Sequence, residues 1–234
     1  MKLTKVIITA MQEEADLIIK KYWLKEVLND KSIPKWIKVF SWERKDYDED
    51  ATNNIILVLS WIWKVQASLA TTYIFENYDV YKLINIWIAW NLDNGDVKVG
   101  DVFLPNTFIQ HDLYLPFEGE YLDYAKKPIF LDYAIWENYD LQKFGLILSW
   151  VCLTWDQFID NKDKVQELRE KYSGDVVEME AFAILSVARA YNMLDKCVVI
   201  KAVSDWADSE AKDDHMDNLE FAMENSISVL ELVL

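Results

Sequence analysis

Short apolar runs alternate with helical patterns along this chain, and this alternation restricts the fold more than any other feature of the sequence. Runs rich in Val, Ile and Leu that end after a few residues are typical of strands buried on both faces. The predicted strands are 5–10, 36–46, 53–60, 82–89, 102–115, 144–154 and 196–205, and the predicted helices are 11–23, 64–78, 161–172, 181–193 and 218–234. Such alternation predicts an α/β fold, a three-layer αβα sandwich around a mixed central sheet. No linker or repeat interrupts it, so we expect one domain over residues 1–234.

Charge and apolar run lengths exclude several classes of partner. A formal net charge of −16 repels phosphate backbones and anionic lipid, so we expect neither nucleic-acid nor membrane binding. No run reaches the roughly 18 apolar residues that a membrane-spanning helix needs, and the first residues lack a secretory signal pattern. Cys152 and Cys197 are the only cysteines. They are predicted to be reduced core residues of a cytoplasmic protein, with a disulfide or a metal site as the alternative.

Candidate functional residues lie where predicted strands end, because ligands of open α/β sheets bind at the carboxyl ends of the strands. Glu13 and Glu14 follow the first strand, where a carboxylate could also serve only to complement a helix dipole. Ser204 and Asp205 end the last strand, where the aspartate could also cap the next helix.

The segment "VVEMEAFAI" places two glutamates, Glu178 and Glu180, on either side of Met179 in apolar surroundings. A buried glutamate needs a partner. A ligand hydroxyl is one candidate partner, and an arginine or a helix N-terminus is the alternative.

Several of these segments together resemble the nucleoside phosphorylase/hydrolase superfamily and, within it, the 5′-methylthioadenosine/S-adenosylhomocysteine nucleosidases. The resemblance covers nearly the whole chain and is carried by "AMQEEA", "LSWIWKVQASLA", "INIWIAWNL", "VKVGDVFLP", "LTWDQFI", "VVEMEA" and "VIKAVSDWAD". It implies a cytoplasmic, homodimeric hydrolase of methionine salvage that needs no metal or organic cofactor. It also implies that the segment from His111 to Pro116 reaches the neighbouring subunit's site, although His111 could instead be an ordinary surface or core histidine.

The resemblance implies a role for each matching residue. Glu14 corresponds to the carboxylate that activates water, Asp205 to the acid that protonates N7 of the adenine, and Glu180 to the group that binds the ribose hydroxyls. The remaining substrate-binding positions are Met179 against the sugar, Phe158 and Ile159 at the purine, Ile62, Ala89 and Trp90 in the lining loops, and Ser204 beside the acid. Lys201 stands where many members have arginine, Ile88 where some have serine, and Asn91 where some have glycine.

The residue types suit this chemistry. Cleavage of an N-glycosidic bond passes through an oxocarbenium-like sugar, and a neutral purine leaves more easily than its anion. The pKa of Asp205 must therefore be raised by burial or by sharing a proton. The only arginines are Arg44, Arg169 and Arg189, none of them in a strand-end loop, which favours water over phosphate as the nucleophile. Hydrolysis of another purine nucleoside, such as 5′-deoxyadenosine or futalosine, and a non-catalytic nucleoside-binding protein are the alternatives.

Tryptophan is abundant and glycine scarce, with 11 tryptophans and 5 glycines. In the family pattern glycine stands at Trp61, Trp63, Trp87, Trp90, Trp150 and Trp155, and often at Trp42. Real indoles at 61, 63 and 90 would fill the substrate volume and indicate a repurposed homologue. We favour instead a gene in which UGA encodes glycine and was translated as tryptophan, because drift would not direct one residue type to glycine positions while Glu14, Glu180 and Asp205 stay intact.

Overall fold

The computed structural model arranges twelve described strands in one mixed sheet. Residues 3–28, 30–42, 54–92, 95, 97–114, 116, 119–120, 125–133, 146–148, 150–157, 161–205 and 211–234 are described, without the side chains of 146–148, 205 and 211–217. The strands are β1 (Leu3–Thr9), β2 (Lys25–Glu26), β3 (Lys38–Ser41), β4 (Ile55–Leu59), β5 (Asp79–Asn91), β6 (Val102–Leu104), β7 (Thr107–Gln110), β8 (Ile129–Phe130), β9 (Leu146–Leu148), β10 (Val151–Thr154), β11 (Val176–Glu178) and β12 (Cys197–Asp205). The α-helices are α1 (Gln12–Tyr22), α2 (Lys64–Asn77), α3 (Lys162–Tyr172), α4 (Ala181–Ala190) and α5 (Ala211–Val233).

Strand β5 organises the sheet, because it is 13 residues long and pairs with three neighbours. It runs parallel to β1 and β12 along most of its length, and its last residues pair antiparallel with β11. The main path is β2-β3-β4-β1-β5-β11-β10-β7-β8, and β12, β6 and β9 branch from β5. The carboxyl ends of β1, β4 and β12 therefore meet around the second half of β5.

Two helix pairs cover the sheet, α1 with α5 and α2 with α4. Helix α5 packs on β12 and β5, and α4 packs on β7, β10 and β12. The continuous core between these layers is made largely of aliphatic strand residues that are fully buried, such as Ile7, Leu57, Ile84 and Val199. The predicted αβα sandwich around a mixed sheet is confirmed.

The structure corrects two predicted strands and adds three, β2, β8 and β11. The strand predicted over 102–115 is two strands, separated by Pro105 and Asn106, because proline has no N–H to donate to a sheet ladder. The strand predicted over 144–154 is also two: β9 pairs with β6, and β10 pairs with β7 and β11. Strand β11 was not predicted, and the last helix begins at Ala211 rather than 218.

Three tryptophans occupy backbone conformations that favour glycine. Trp23 at the end of α1 has φ of 50°, Trp61 has φ of 67°, and Trp63 has φ of 93° with ψ of 148°. Ser173 and Asn192 also have positive φ, so the left-handed conformation of Trp23 and Trp61 is not unusual by itself. The conformation of Trp63 lies close to a region that is essentially restricted to glycine. The backbone thus supports glycine at position 63 most strongly.

We expect the substitution Trp63→Gly to raise the free energy of unfolding by about 1–2 kcal/mol. Relief of about 1–3 kcal/mol of backbone strain should exceed the roughly 0.4–1 kcal/mol lost to a more flexible unfolded chain. Little packing is lost, because Trp63 is 60% exposed. Urea denaturation measures the change, with Trp36→Gly as the matched control, since Trp36 is 68% exposed and has no positive φ. Equal shifts in the two variants contradict the strain argument.

Candidate active site

A cavity of about 200 Å³ lies at the carboxyl ends of β1, β4, β5 and β11. Strand β1 lies between β4 and β5 in the sheet. The residues that follow β1 and β4 are therefore brought beside β5, where they form two walls of the cavity. The lining residues are Ala10, Met11 and Glu14 after β1, Ile62 after β4, Trp87, Ile88 and Trp90 in β5, and Glu178, Met179 and Glu180 at the end of β11. A site at these strand ends agrees with the position predicted from the sequence.

Glu14 is buried at the start of α1 and holds its carboxylate against backbone N–H groups. Its Oε2 accepts hydrogen bonds from the N–H of Met11 at 2.9 Å and of Ala10 at 3.2 Å, and its Oε1 from the N–H of Ile88 at 3.4 Å. Burial raises the pKa of Glu14 to about 7, although these N–H groups and the ammonium of Lys201 oppose the rise. A carboxyl group with this pKa can take up and release a proton near neutral pH, as a general base must.

Glu180 faces the same cavity from the first residue before α4. Its Oε1 accepts a hydrogen bond from the N–H of Trp63 at 2.9 Å, and its Oε2 from the N–H of Met179 at 3.2 Å. Burial, followed by the charge of Glu178, holds the pKa of Glu180 well above its usual range, although the Trp63 N–H and Lys201 oppose this. A carboxyl group in this setting suits a neutral hydroxyl partner better than a second anion.

Glu178 has structural partners instead of an open position for a ligand. Its Oε2 accepts from the N–H of Glu180 at 3.0 Å, from the N–H of Ala181 at 2.8 Å and from the ammonium of Lys201 at 2.9 Å. Its Oε1 accepts from the hydroxyl of Thr154. The partners of Glu178 are therefore the N-terminus of a helix, which was one of the predicted alternatives to a ligand hydroxyl, and a lysine instead of the predicted arginine.

Lys201 supplies the cation of this interior. It is fully buried, and its ammonium lies 3.8 Å from the ring centre of Trp87. Three carboxyl groups, those of Glu14, Glu178 and Glu180, share the field of this one ammonium. Because the carboxyl groups outnumber the ammonium, the site favours retention of a proton on at least one carboxyl group.

Ser204 and Asp205 end β12 beside the cavity. The pairing of β12 with β5 shifts between Val203 and Asp205, and Asp205 then pairs with Trp90, whose side chain lines the cavity. The side chain of Ser204 is buried, and its carbonyl accepts a hydrogen bond from the Asn218 amide at 3.0 Å. The side chain of Asp205 is not among those described, so its contact with a purine stays a prediction.

The other predicted substrate-binding residues are only partly brought together. Ile62, Trp90 and Met179 line the cavity, whereas Ala89 is buried without being part of the lining. Phe158 and Ile159 lie outside the described residues.

Of the three indoles expected to fill the substrate volume, those at positions 61, 63 and 90, only that of Trp90 lines the described cavity. Trp61 is 39% exposed, Trp63 is 60% exposed, and neither lines the cavity. Trp87 and Trp90 are the indoles that do occupy its wall, and both are buried. At about 200 Å³ the cavity is smaller than the roughly 300 Å³ at which ligand pockets begin, which is consistent with side-chain bulk in this wall.

The part of the chain that the structure describes contains no cluster of three metal-binding side chains. Cys152 and Cys197 are both free and buried. None of the described helices is long and apolar enough to cross a membrane.

Sequence reasoning did not name four of the lining residues as substrate-binding candidates: Ala10, Met11, Trp87 and Ile88. Ala10 and Met11 follow β1 directly and Trp87 and Ile88 lie in the second half of β5, so their position near strand ends could have indicated them. The ion pair between Glu178 and Lys201 had no comparable signal, because the two residues are 23 positions apart on different strands.

Comparison with known proteins finds relatives along nearly the whole chain. The pattern of the phosphorylase superfamily matches residues 4–234. The 5′-methylthioadenosine/S-adenosylhomocysteine nucleosidase of Buchnera aphidicola subsp. Schizaphis graminum is 29% identical over 97% of this chain and 94% of its own. The aminodeoxyfutalosine nucleosidase of Helicobacter pylori is 26% identical over 67% of this chain and 69% of its own.

A crystal structure of a Helicobacter pylori 5′-methylthioadenosine/S-adenosylhomocysteine nucleosidase superposes with a TM-score of 0.82. It covers 98% of this chain and 97% of its own at 23% identity, so it supports the fold alone. The family match over nearly the whole chain and the carboxylate-lined cavity at the strand ends lead to one conclusion: the chain belongs to the phosphorylase superfamily.

Proposed function

We propose that this protein hydrolyses the N-glycosidic bond of 5′-methylthioadenosine and S-adenosylhomocysteine and releases adenine. The observation that carries the proposal is the pairing of Glu14, a buried carboxyl group with a pKa of about 7, with Glu180 in one cavity. Relatives that match nearly all of the chain are nucleosidases for these two compounds. A carboxyl group whose pKa lies near neutral pH is also well suited to act as the general base that hydrolysis needs.

In the proposed reaction, water attacks C1′ of the ribose while the bond from C1′ to N9 of adenine breaks. Glu14 takes a proton from the water as its oxygen bonds to C1′, and Asp205 gives a proton to N7, so that adenine leaves neutral. Glu180 accepts hydrogen bonds from the ribose hydroxyls, and Met179 lies beside it along the cavity wall. The positive charge that develops on the sugar is stabilised by the carboxylates around it.

The cationic residues support water as the nucleophile. Phosphate binding needs cationic or N–H groups directed into the cavity. Arg169 and Arg189 lie on α3 and α4 and are not part of the cavity lining, and the ammonium of Lys201 is bonded to Glu178. The N–H groups of Ala10, Met11 and Ile88 donate to Glu14.

A substrate panel tests the proposal and its main alternative. The relevant protein is the glycine-restored chain, which has glycine at Trp61, Trp63, Trp87, Trp90, Trp150 and Trp155. We expect adenine release from 5′-methylthioadenosine and S-adenosylhomocysteine and no base release from inosine, measured by chromatography. Because one relative is an aminodeoxyfutalosine nucleosidase, that compound belongs in the panel. Preference for it over both thio-nucleosides, by more than tenfold in kcat/KM, would overturn the substrate assignment.

A homodimer in the cytoplasm is part of the same proposal. Helix α2 presents Val65 and Leu69, one turn apart and 66% and 52% exposed, which supports an apolar contact with a second copy. His111 packs within its own chain, 4.6 Å from the ring centre of Trp155, and burial lowers its pKa to about 4. We expect light scattering to give twice the chain mass, and Leu69→Glu to halve it. A monomeric parent contradicts the dimer.

A further inference from the structure

Three charged side chains from distant segments meet at the start of α2. We call Lys64, Asp112 and Asp156 the rim cluster. The ammonium of Lys64 lies 2.6 Å from both carboxylate oxygens of Asp112 and 3.5 Å from Oδ2 of Asp156. Lys64 is the first residue of α2, Asp112 follows β7, and Asp156 follows β10. The cluster therefore joins the ends of two neighbouring strands to a helix.

Backbone hydrogen bonds close the cluster into a ring. The N–H of Lys64 donates to Oδ1 of Asp156 at 3.0 Å, and the N–H of Asp156 donates to Oδ2 of Asp112 at 3.2 Å. The side chains of Lys64, Asp112 and Asp156 are 14%, 21% and 36% exposed. Exposed ion pairs contribute little to stability, but a partly shielded, multiply bonded network can fix geometry as well.

The rim cluster lies next to a backbone donor of Glu180, the carboxyl group proposed to bind the ribose hydroxyls. The N–H of Trp63 donates to Glu180 at 2.9 Å, and the next N–H, that of Lys64, donates to Asp156. The start of α2 thus presents successive N–H groups to two carboxylates, where the helix dipole favours negative charge. Any movement of Lys64 must move the donor on which Glu180 depends.

We propose that Lys64 is a positioning residue, which fixes the start of α2 through Asp112 and Asp156 so that the Trp63 N–H holds Glu180 in place for the ribose hydroxyls. This inference rests on the proposed function. Without the ammonium, the carboxylates of Asp112 and Asp156 face each other with Gln110 as the remaining side-chain donor to Asp112. Their repulsion separates the two strand-end segments and displaces the helix start. Small displacements of binding groups reduce productive binding strongly.

Kinetics of the substitution Lys64→Met in the full glycine-restored chain test the inference. We expect KM for 5′-methylthioadenosine to rise by about tenfold or more with kcat within about threefold, because the hydrogen bonds from the ribose hydroxyls to Glu180 already form in the bound ground state. Lys64→Arg should retain most of the parent KM. Lys21→Met is the matched control, since Lys21 forms a 2.7 Å ion pair with Glu231 at the opposite end of α1 from Glu14 and is 43% exposed.

A second variant separates positioning from general stability. Adding Asp112→Asn to Lys64→Met removes the repulsion and should recover part of the lost KM, whereas a merely structural role predicts a lower melting temperature and no recovery. Unchanged KM in Lys64→Met overturns the inference, as does an equal change in Lys21→Met. Failure of the proposed function is recognised separately, because the glycine-restored parent with Lys64 in place then releases no adenine.

Discussion

Replacing Glu14 with glutamine is expected to lower kcat for adenine release by about 10²–10⁴-fold, the usual contribution of a general base. Glutamine keeps the shape of the side chain, so the hydrogen bonds that its Oε1 accepts from backbone N–H groups can persist while the proton acceptor is lost. Glu13→Gln is the control, because Glu13 is the adjacent residue and is exposed. A kcat for Glu14→Gln within threefold of the Glu13→Gln value contradicts the role of Glu14.

The pKa of Glu14 also predicts opposite trends in activity and stability with pH. Activity should rise as pH increases through about 7, because only the ionised carboxylate accepts a proton from water. The folded protein binds this proton more tightly than the unfolded chain. The contribution of Glu14 to stability is therefore lost as the pH rises from about 4.5 to about 7. Glu14→Gln should therefore be more stable than the parent at pH 8 and show a weaker loss of stability over that range in urea denaturation.

Replacing Lys201 with methionine is expected to destabilise the fold by roughly 3–5 kcal/mol, as is typical when one partner of a buried ion pair is removed. The loss arises because the carboxylate of Glu178 is left buried without its cation, next to Glu14 and Glu180. Urea denaturation measures this change in the free energy of unfolding.

Two further variants identify the cause of that loss. Lys201→Arg keeps the charge and should retain most of the stability. Adding Glu178→Gln to Lys201→Met removes both charges and should recover a large part of the loss. Equal stability of the Lys201→Met and Lys201→Arg chains contradicts the importance of this charge.

The sequence predicted the regular elements well where their pattern is local. The bounds of β1, α1, β4, α2 and β12 lie within three residues of the prediction, because burial on one or both faces is visible in the order of apolar residues. Strand β11 is only three residues long and is held by pairing with β10 and β5, which no local pattern shows. The break at Pro105 could have been predicted from the missing N–H of proline.

The same distinction applies to the site. Glu14 and Glu180 follow strands and occupy the predicted cavity, and the resemblance had already indicated them. The start of α4 was one of the alternatives offered as a partner of these glutamates, but Thr154 and Lys201 could not be predicted as partners of Glu178, because they approach it only in the folded sheet. The exposed positions of Trp61 and Trp63 also depend on side-chain direction, which the glycine pattern does not specify. Their positive φ values follow the glycine pattern directly.

Adenine release from 5′-methylthioadenosine by the glycine-restored chain tests the central claim most directly. Single-turnover measurement separates the chemical step from product release, and Glu14→Gln and Asp205→Asn provide the comparison. We predict adenine formation by the glycine-restored parent and a single-turnover rate lower by at least about 10²-fold in each variant, as expected for an essential base and acid. Absence of adenine from the glycine-restored parent, or equal rates in the parent and both variants, would contradict the claim.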